Sequence, residues 1–333
     1  MIPLILAALS AWGTVVRAAV VTSFGTPPTC QDFPAPTPRA PNEVLVDVVA
    51  SGLHPRVRSQ ADGSHYTSTC DLPLVPGIDG VGRAPDGSLR YFILPDTTMG
   101  AMAEQTVVDL RRSVLLPGDS DPVRIAAAMN PAMSSWVALR QRVRFQAGQN
   151  VLVLGATGSA GQLAVQVAKL LGADQVIAAG RNAGRLDALP ALGATGTVLL
   201  DADPAAVSGR LGHAAAEVDV VIDYLWGEPT VAAMIAVVTG RADRARPLTW
   251  IEVGSVAGPA AAIPSAALRA ARLQIVGSGQ GSVPTRDILA ELPALVAELS
   301  DGSLRVDVRQ VPLADVETAW KDTRSDQRVV ITP

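Results

Sequence analysis

Residues 150–173 read NVLVLGATGSAGQLAVQVAKLLGA. The run opens with an apolar stretch, NVLVL at 150–154, of the length and composition of a buried strand. It closes with SAGQLAVQVAKLL at 159–171, whose apolar residues recur at helical spacing. Between them lies Gly155-Ala156-Thr157-Gly158-Ser159-Ala160-Gly161. The strand–turn–helix context is the one a phosphate-binding turn requires, and Ala156, Gly158 and Gly161 fit the A-x-G-x-x-G pattern. Gly158 would let backbone approach a pyrophosphate, and Gly161 would let the helix pack close to the strand. The helix N-terminus, with Ser159 and Ala160 in its first turn, presents N–H groups and partial positive charge. The plainer alternative is a tight turn of small residues with no ligand.

Downstream, apolar strands are expected at 175–179, 196–200, 218–222, 248–253 and 272–277, with helices between them. That alternation predicts a parallel sheet covered on both faces, a doubly wound Rossmann domain over 129–276. The second strand ends Ala179-Gly180-Arg181-Asn182, without the acid that would accept from the ribose hydroxyls of NAD. Arg181, and Arg185 one turn on, could instead pair with a 2′-phosphate through their planar guanidinium forks. The expected cofactor is therefore NADP.

Upstream, residues 14–128 carry short strand-like runs such as VRAAVV, EVLVDVVAS and AEQTVV, separated by Pro-rich loops such as PAPTPRAP at 34–41. This part reads as a mostly β domain. The tail, 277–333, holds a helix around 285–299 and strands at 305–311 and 328–332, with DVETAWKD between them. It is read as a return to the first domain. Residues 1–13 form an N-terminal extension. Its apolar run, MIPLILAALSAW, has no preceding Lys or Arg, unlike a signal peptide, and is too short to span a bilayer.

With 27 Lys and Arg against 31 Asp and Glu, the net charge is −4, and no basic stripe or tail marks a nucleic-acid binder. Two cysteines, Cys30 and Cys70, build neither a disulfide framework nor a sulfur-rich zinc site. The expectation is a cytoplasmic protein with reduced thiols and neither nucleic acid nor membrane as partner.

The stretches VLVDVVASGLHP (44–55), LPLVPGIDGVG (72–82), GAMAEQTVV (100–108), IEVGSVAG (251–258) and VETAW (316–320), taken with 149–173, resemble the medium-chain dehydrogenase/reductase superfamily. The chain looks most like its zinc-independent quinone oxidoreductases. The resemblance implies a GroES-like β-rich substrate domain joined to a Rossmann domain, with nicotinamide and substrate in a cleft. It also implies a homodimer. It carries Gly254, Ser255, Val256, Gly277, Ser278 and Gly279 over as cofactor neighbours, and Asn130 as a contact of the nicotinamide ribose or substrate.

Where zinc alcohol dehydrogenases carry a catalytic Cys, this chain has His54, and their zinc-binding His is matched by Ile78. No metal is expected. Hydride transfer without a metal relies on placement and on donors to the developing oxygen charge. His54 is the first candidate for that role, with a turn histidine capping local backbone as the alternative. Tyr66 and Tyr91 follow, as phenols able to hold a carbonyl oxygen while the ring stacks on a flat substrate. Arg56 and Arg58 are read as solvated loop residues, with attraction of an anionic substrate as the alternative. The expected reaction is NADPH-dependent reduction of a quinone or enone. The alternatives are zinc-free alcohol/carbonyl exchange or a nonenzymatic NADPH-binding sensor or interaction protein.

Overall fold

A computed structural model of the chain describes residues 14–201, 203–322 and 327–333. The extension 1–13 lies outside the described residues. The chain divides into two compact units, one from the described residues up to Asn130 together with Leu292–Pro333, the other Pro131–Glu291.

The first unit opens with β1 (Val15–Val20), β2 (Thr29–Pro34) and the long β3 (Glu43–Leu53). Next come α1 (Pro55–Ala61), β4 (Asp79–Arg83), β5 (Leu89–Ile93), β6 (Gln105–Asp109) and β7 (Ser113–Leu115). Helix α2 (Pro122–Val137) runs on past the boundary between the units.

The second unit continues with β8 (Val151–Leu154), α3 (Ser159–Leu170), β9 (Val176–Gly180), α4 (Ala183–Leu186) and β10 (Gly196–Leu199). After α5 (Pro204–Ala214) come β11 (Val220–Asp223), α6 (Gly227–Gly240), β12 (Leu248–Glu252), α7 (Ser265–Ala270) and β13 (Leu273–Gly277). Then α8 (Thr285–Ser300) leads back to the first unit, which ends with β14 (Val308–Pro312), α9 (Val316–Lys321) and β15 (Arg328–Thr332).

The sheet of the second unit runs β10-β9-β8-β11-β12-β13, and every neighbouring pair is parallel. Counted within the sheet this is the order 3-2-1-4-5-6 of the doubly wound dinucleotide fold, which reverses between β8 and β11. β8, β9 and β11 are buried along their whole lengths, which is why they read as continuous apolar runs. Trp250, Leu152, Leu154, Met234 and Val237 sit in the core of this unit.

The first unit is β-rich, as expected. β3 is its centre, pairing antiparallel with β4, β6 and β15, and the sheet path runs β14-β15-β3-β4-β5-β7. The terminal strand thus closes onto the first domain's sheet through Val329–Ile331 against Ser51–Leu53. Strands β2, β4 and β5 were not anticipated from the sequence.

The solvated reading of Arg58 does not hold. Its guanidinium donates to the carbonyls of Ala319 (3.3 Å), Asp322 (3.2 Å) and Trp320, and it lies over the Trp320 ring at 5.3 Å. It stitches α1 to α9. Arg56 pairs with Asp96 at 3.1 Å.

Candidate functional site

The turn after β8 is built by three glycines with three different reasons. Gly155 has φ +84°, a conformation that only glycine adopts without strain. A Cβ on Gly161 would lie 2.2 Å from Gly155 O and 2.6 Å from Ala156 Cα, so the helix could not seat on the strand end. Gly158 has ordinary extended angles, φ −81° and ψ 161°, and its nearest neighbour would stand 3.6 Å from an added Cβ. Packing does not demand glycine there. A bare backbone at that point suits close approach of a pyrophosphate.

Gly158 is the N-cap of α3 and provides no side-chain cap, so the first N–H groups of the helix are left for another partner. Ala156 N and Gly155 N both donate to Ala179 O (2.9 and 3.0 Å), which ties the turn to the end of β9. Thr157 packs on Gly180, where a Cβ would meet Thr157 Cγ2 at 2.6 Å.

Beyond Gly180 the chain exposes Arg181 and Asn182. Asn182 Oδ1 accepts from Arg185 N at 3.1 Å and caps α4. Arg185 Nη1 donates to Thr157 O at 3.2 Å, so this arginine reaches the phosphate turn itself. Gly254, Ser255 and Val256 follow β12, and Val256 is 73% exposed. Their loop is held by Val256 N to Tyr224 O (3.3 Å) and Ala257 N to Leu225 O (2.7 Å). Gly277 ends β13, with Ser278 N donating to Glu252 O (2.8 Å) and Gly279 N to Ser282 Oγ (2.8 Å). Within the second unit, these candidates follow the carboxyl ends of the parallel strands β8, β9, β12 and β13. Asn130, half-buried on α2, belongs to the first unit.

Asp223, at the end of β11, carries a role that sequence reading missed. Its buried carboxylate accepts from Leu225 N (2.8 Å), Trp226 N (3.1 Å), Thr230 Oγ1 (2.6 Å) and Trp250 Nε1 (2.9 Å). It holds Trp226 at φ +52°, a strained backbone for a bulky residue. The neighbouring Tyr224 shares a hydrogen bond with Ser134 Oγ at 2.8 Å, and burial pushes its phenol up to about 12.

The first unit holds a second polar cluster. His54 follows β3 and starts α1, yet its side chain caps nothing. Instead its Nε2 lies 3.0 Å from Asp79 Oδ1 on β4, and Tyr91 on β5 donates its O–H to Asp79 Oδ2 at 2.9 Å. His54, Asp79 and Tyr91 are all buried. Burial brings the His54 pKa below its ordinary 6.5, against the opposing pull of Asp79. Burial thus works against a charged ring in the His54–Asp79 hydrogen bond. Burial, and then Asp79, drives the Tyr91 phenol well above its usual range. Arg328 on β15 is also buried, which brings it down to about 10 while Asp79 opposes the fall.

Tyr91 is thus committed to Asp79 and its ring is enclosed, so it does not offer a free hydroxyl to a substrate. Tyr66 is the opposite case, 71% exposed and stacked on His65 with centroids 4.4 Å apart. Among the described residues no group of three His, Cys, Asp or Glu side chains could hold a metal ion.

The family model for zinc-binding dehydrogenases matches residues 160–298. The chain is 32% identical to the probable NADPH-dependent quinone reductase tdiC of Emericella nidulans, over 96% of this chain and 100% of that protein.

The chain belongs to the zinc-independent quinone/enone oxidoreductase-like family of the medium-chain dehydrogenase/reductase superfamily.

It is also 28% identical to the 2-methylene-furan-3-one reductase of Solanum lycopersicum, over 46% of this chain and 43% of that protein. A mycobacterial quinone oxidoreductase has the same fold, with a TM-score of 0.80 at 22% identity over 96% of this chain and 100% of that one. So does a thermostable alcohol dehydrogenase of Pyrobaculum aerophilum, with a TM-score of 0.77 at 23% identity over 96% and 100%. The GroES-like and Rossmann halves expected from the sequence are the architecture of this superfamily.

Proposed function

We propose that the protein is an NADPH-dependent reductase that transfers hydride to a quinone or to the activated double bond of an enone. The observation that carries the reading is the turn at Gly155–Gly161. It combines an uncapped helix N-terminus, a Gly158 that packing does not require, and Arg185 bonded to the turn's own Thr157 carbonyl. The full-length likeness to a probable NADPH-dependent quinone reductase supports the same assignment.

The residues present fit a dinucleotide with a 2′-phosphate. The N–H groups at the start of α3 would take the pyrophosphate. Arg181, exposed beside the turn, and Arg185 would take the 2′-phosphate, since β9 ends without the acid of an NAD site. Small residues at Gly254, Ser255, Gly277 and Gly279 leave room for the nicotinamide half. Bound NADPH supplies the hydride. The protein's own contribution is placement and exclusion of water. His54 serves substrate placement, and exposed Tyr66 offers a flat aromatic face to a flat substrate.

Turnover with a panel of quinones and enones tests this, following loss of the reduced nicotinamide absorbance. Oxidation of NADPH that depends on one of these acceptors, with balanced formation of the reduced product, is expected. Tight NADPH binding with no acceptor-dependent oxidation across the panel would favour a nonenzymatic NADPH-binding role.

A further inference from the structure

The first unit buries three polar groups around one carboxylate. Asp79 on β4 receives His54 and Tyr91 on its two oxygens, at 3.0 and 2.9 Å. Buried Arg328 on β15 is coupled to it electrostatically, and its Nη1 donates to Leu53 O at 3.3 Å, one residue before His54. The surroundings are apolar: Leu53, Val57, Ile78, Val329 and Ile331 belong to one core cluster. Taking such groups out of water is costly, and apolar side chains of similar volume would hold the fold as well or better. A network of this kind calls for a reason beyond packing.

The geometry supplies one. A carboxylate accepts and does not donate, so the ring nitrogen facing Asp79 must carry the proton. Among the described residues, Nδ1 of His54 has no hydrogen-bond partner. We infer that Asp79 is a positioning residue that locks His54 in its Nε2–H tautomer and leaves Nδ1 as a fixed hydrogen-bond acceptor for the substrate role proposed for His54. Such an acceptor orients a water by taking one of its hydrogens in a hydrogen bond; the water's other proton passes to the oxygen reduced by the hydride, and solvent returns a proton to the hydroxide left behind. Neutral His54 does not itself donate that proton. The inference rests on the reductase reading and refines the part His54 plays in it.

The charged and titratable groups facing His54 are Asp79 on β4, Arg328 on β15 and Arg56 on α1. Asp79 favours the protonated ring, while the two arginines and burial disfavour it. Since the acceptor role needs the neutral ring, activity should fall as pH drops through the His54 pKa, below the ordinary 6.5. Replacing Asp79 by Asn removes the favourable carboxylate, so that acid limb should move to still lower pH. The amide can also pair with either tautomer, so kcat should drop by about 10- to 100-fold with NADPH affinity unchanged.

Nitrogen NMR of histidine-labelled wild-type protein reads the tautomer directly. With three histidines in the chain, comparison with His54→Gln assigns the signal. The expected result is a neutral Nε2–H ring at neutral pH. A Nδ1–H tautomer, or a protonated ring, overturns the inference, and this measurement stands even if Asp79→Asn does not fold. If wild type reduces quinones but Asp79→Asn and His54→Gln leave kcat and the acid limb where they were, the inference falls and the reductase reading stands. If wild type reduces nothing, the reductase reading falls, and the inferred role of Asp79 in the reaction falls with it.

Discussion

Gly158 and Gly161 stand in the same turn and answer to different demands. Gly161 is needed by the fold, since any side chain there collides with the backbone of Gly155 and Ala156. Gly158 is not. Gly161→Ala should therefore cost about 1–3 kcal/mol or more of stability, seen as a lowered Tm. Gly158→Ala should cost less than about 1 kcal/mol, the difference between these residues at an N-cap. It should nonetheless weaken NADPH binding about tenfold or more, or about 1.4 kcal/mol, in a fluorescence titration. Equal effects of the two changes on Tm would mean the turn serves packing alone. The phosphate turn was legible because all its parts lie within a dozen residues. Asp79, Arg328 and Asp223 were not, because their meaning comes from partners 12 to 27 residues away or on the last strand. The capping alternative for His54 was open from sequence and is closed by geometry, since its ring turns inward to Asp79.

Among the elements, the parallel strands were readable because burial on both faces makes them uniformly apolar. Strands β4 (DGVGR) and β5 (LRYFI) gave no comparable signal. In β4 the glycines are there for close approach: a Cβ on Gly82 would meet Val46 Cγ1 at 2.3 Å, and one on Gly80 would meet Ala50 O at 2.8 Å. Glycine in a strand reads as a break when only sequence is in view. The link from β11 to α6 depends on Asp223, which satisfies four donors at once. Asp223→Ala leaves those donors without their acceptor and should cost about 3–4 kcal/mol. Thermal unfolding checks this, and Asp223→Asn, keeping shape and one acceptor oxygen, should lose less. A Tm unchanged by the alanine substitution would mean that solvent replaces the carboxylate and that the turn at Trp226 is held by other contacts.

At the scale of the whole molecule, family membership rests on likeness over essentially the full chain, while the choice of cofactor rests on a few side chains after β9. Arg181 follows the strand end where an NAD site would place an acid, and Arg185 lies one turn on. The most direct test is a titration of the purified protein and of Arg181→Ala with NADPH and NADH, following nicotinamide fluorescence. NADPH should bind at least about tenfold tighter than NADH, a difference of about 1.4 kcal/mol, largely lost in Arg181→Ala. Equal binding of the two, tighter binding of NADH, or binding of neither would contradict that expectation.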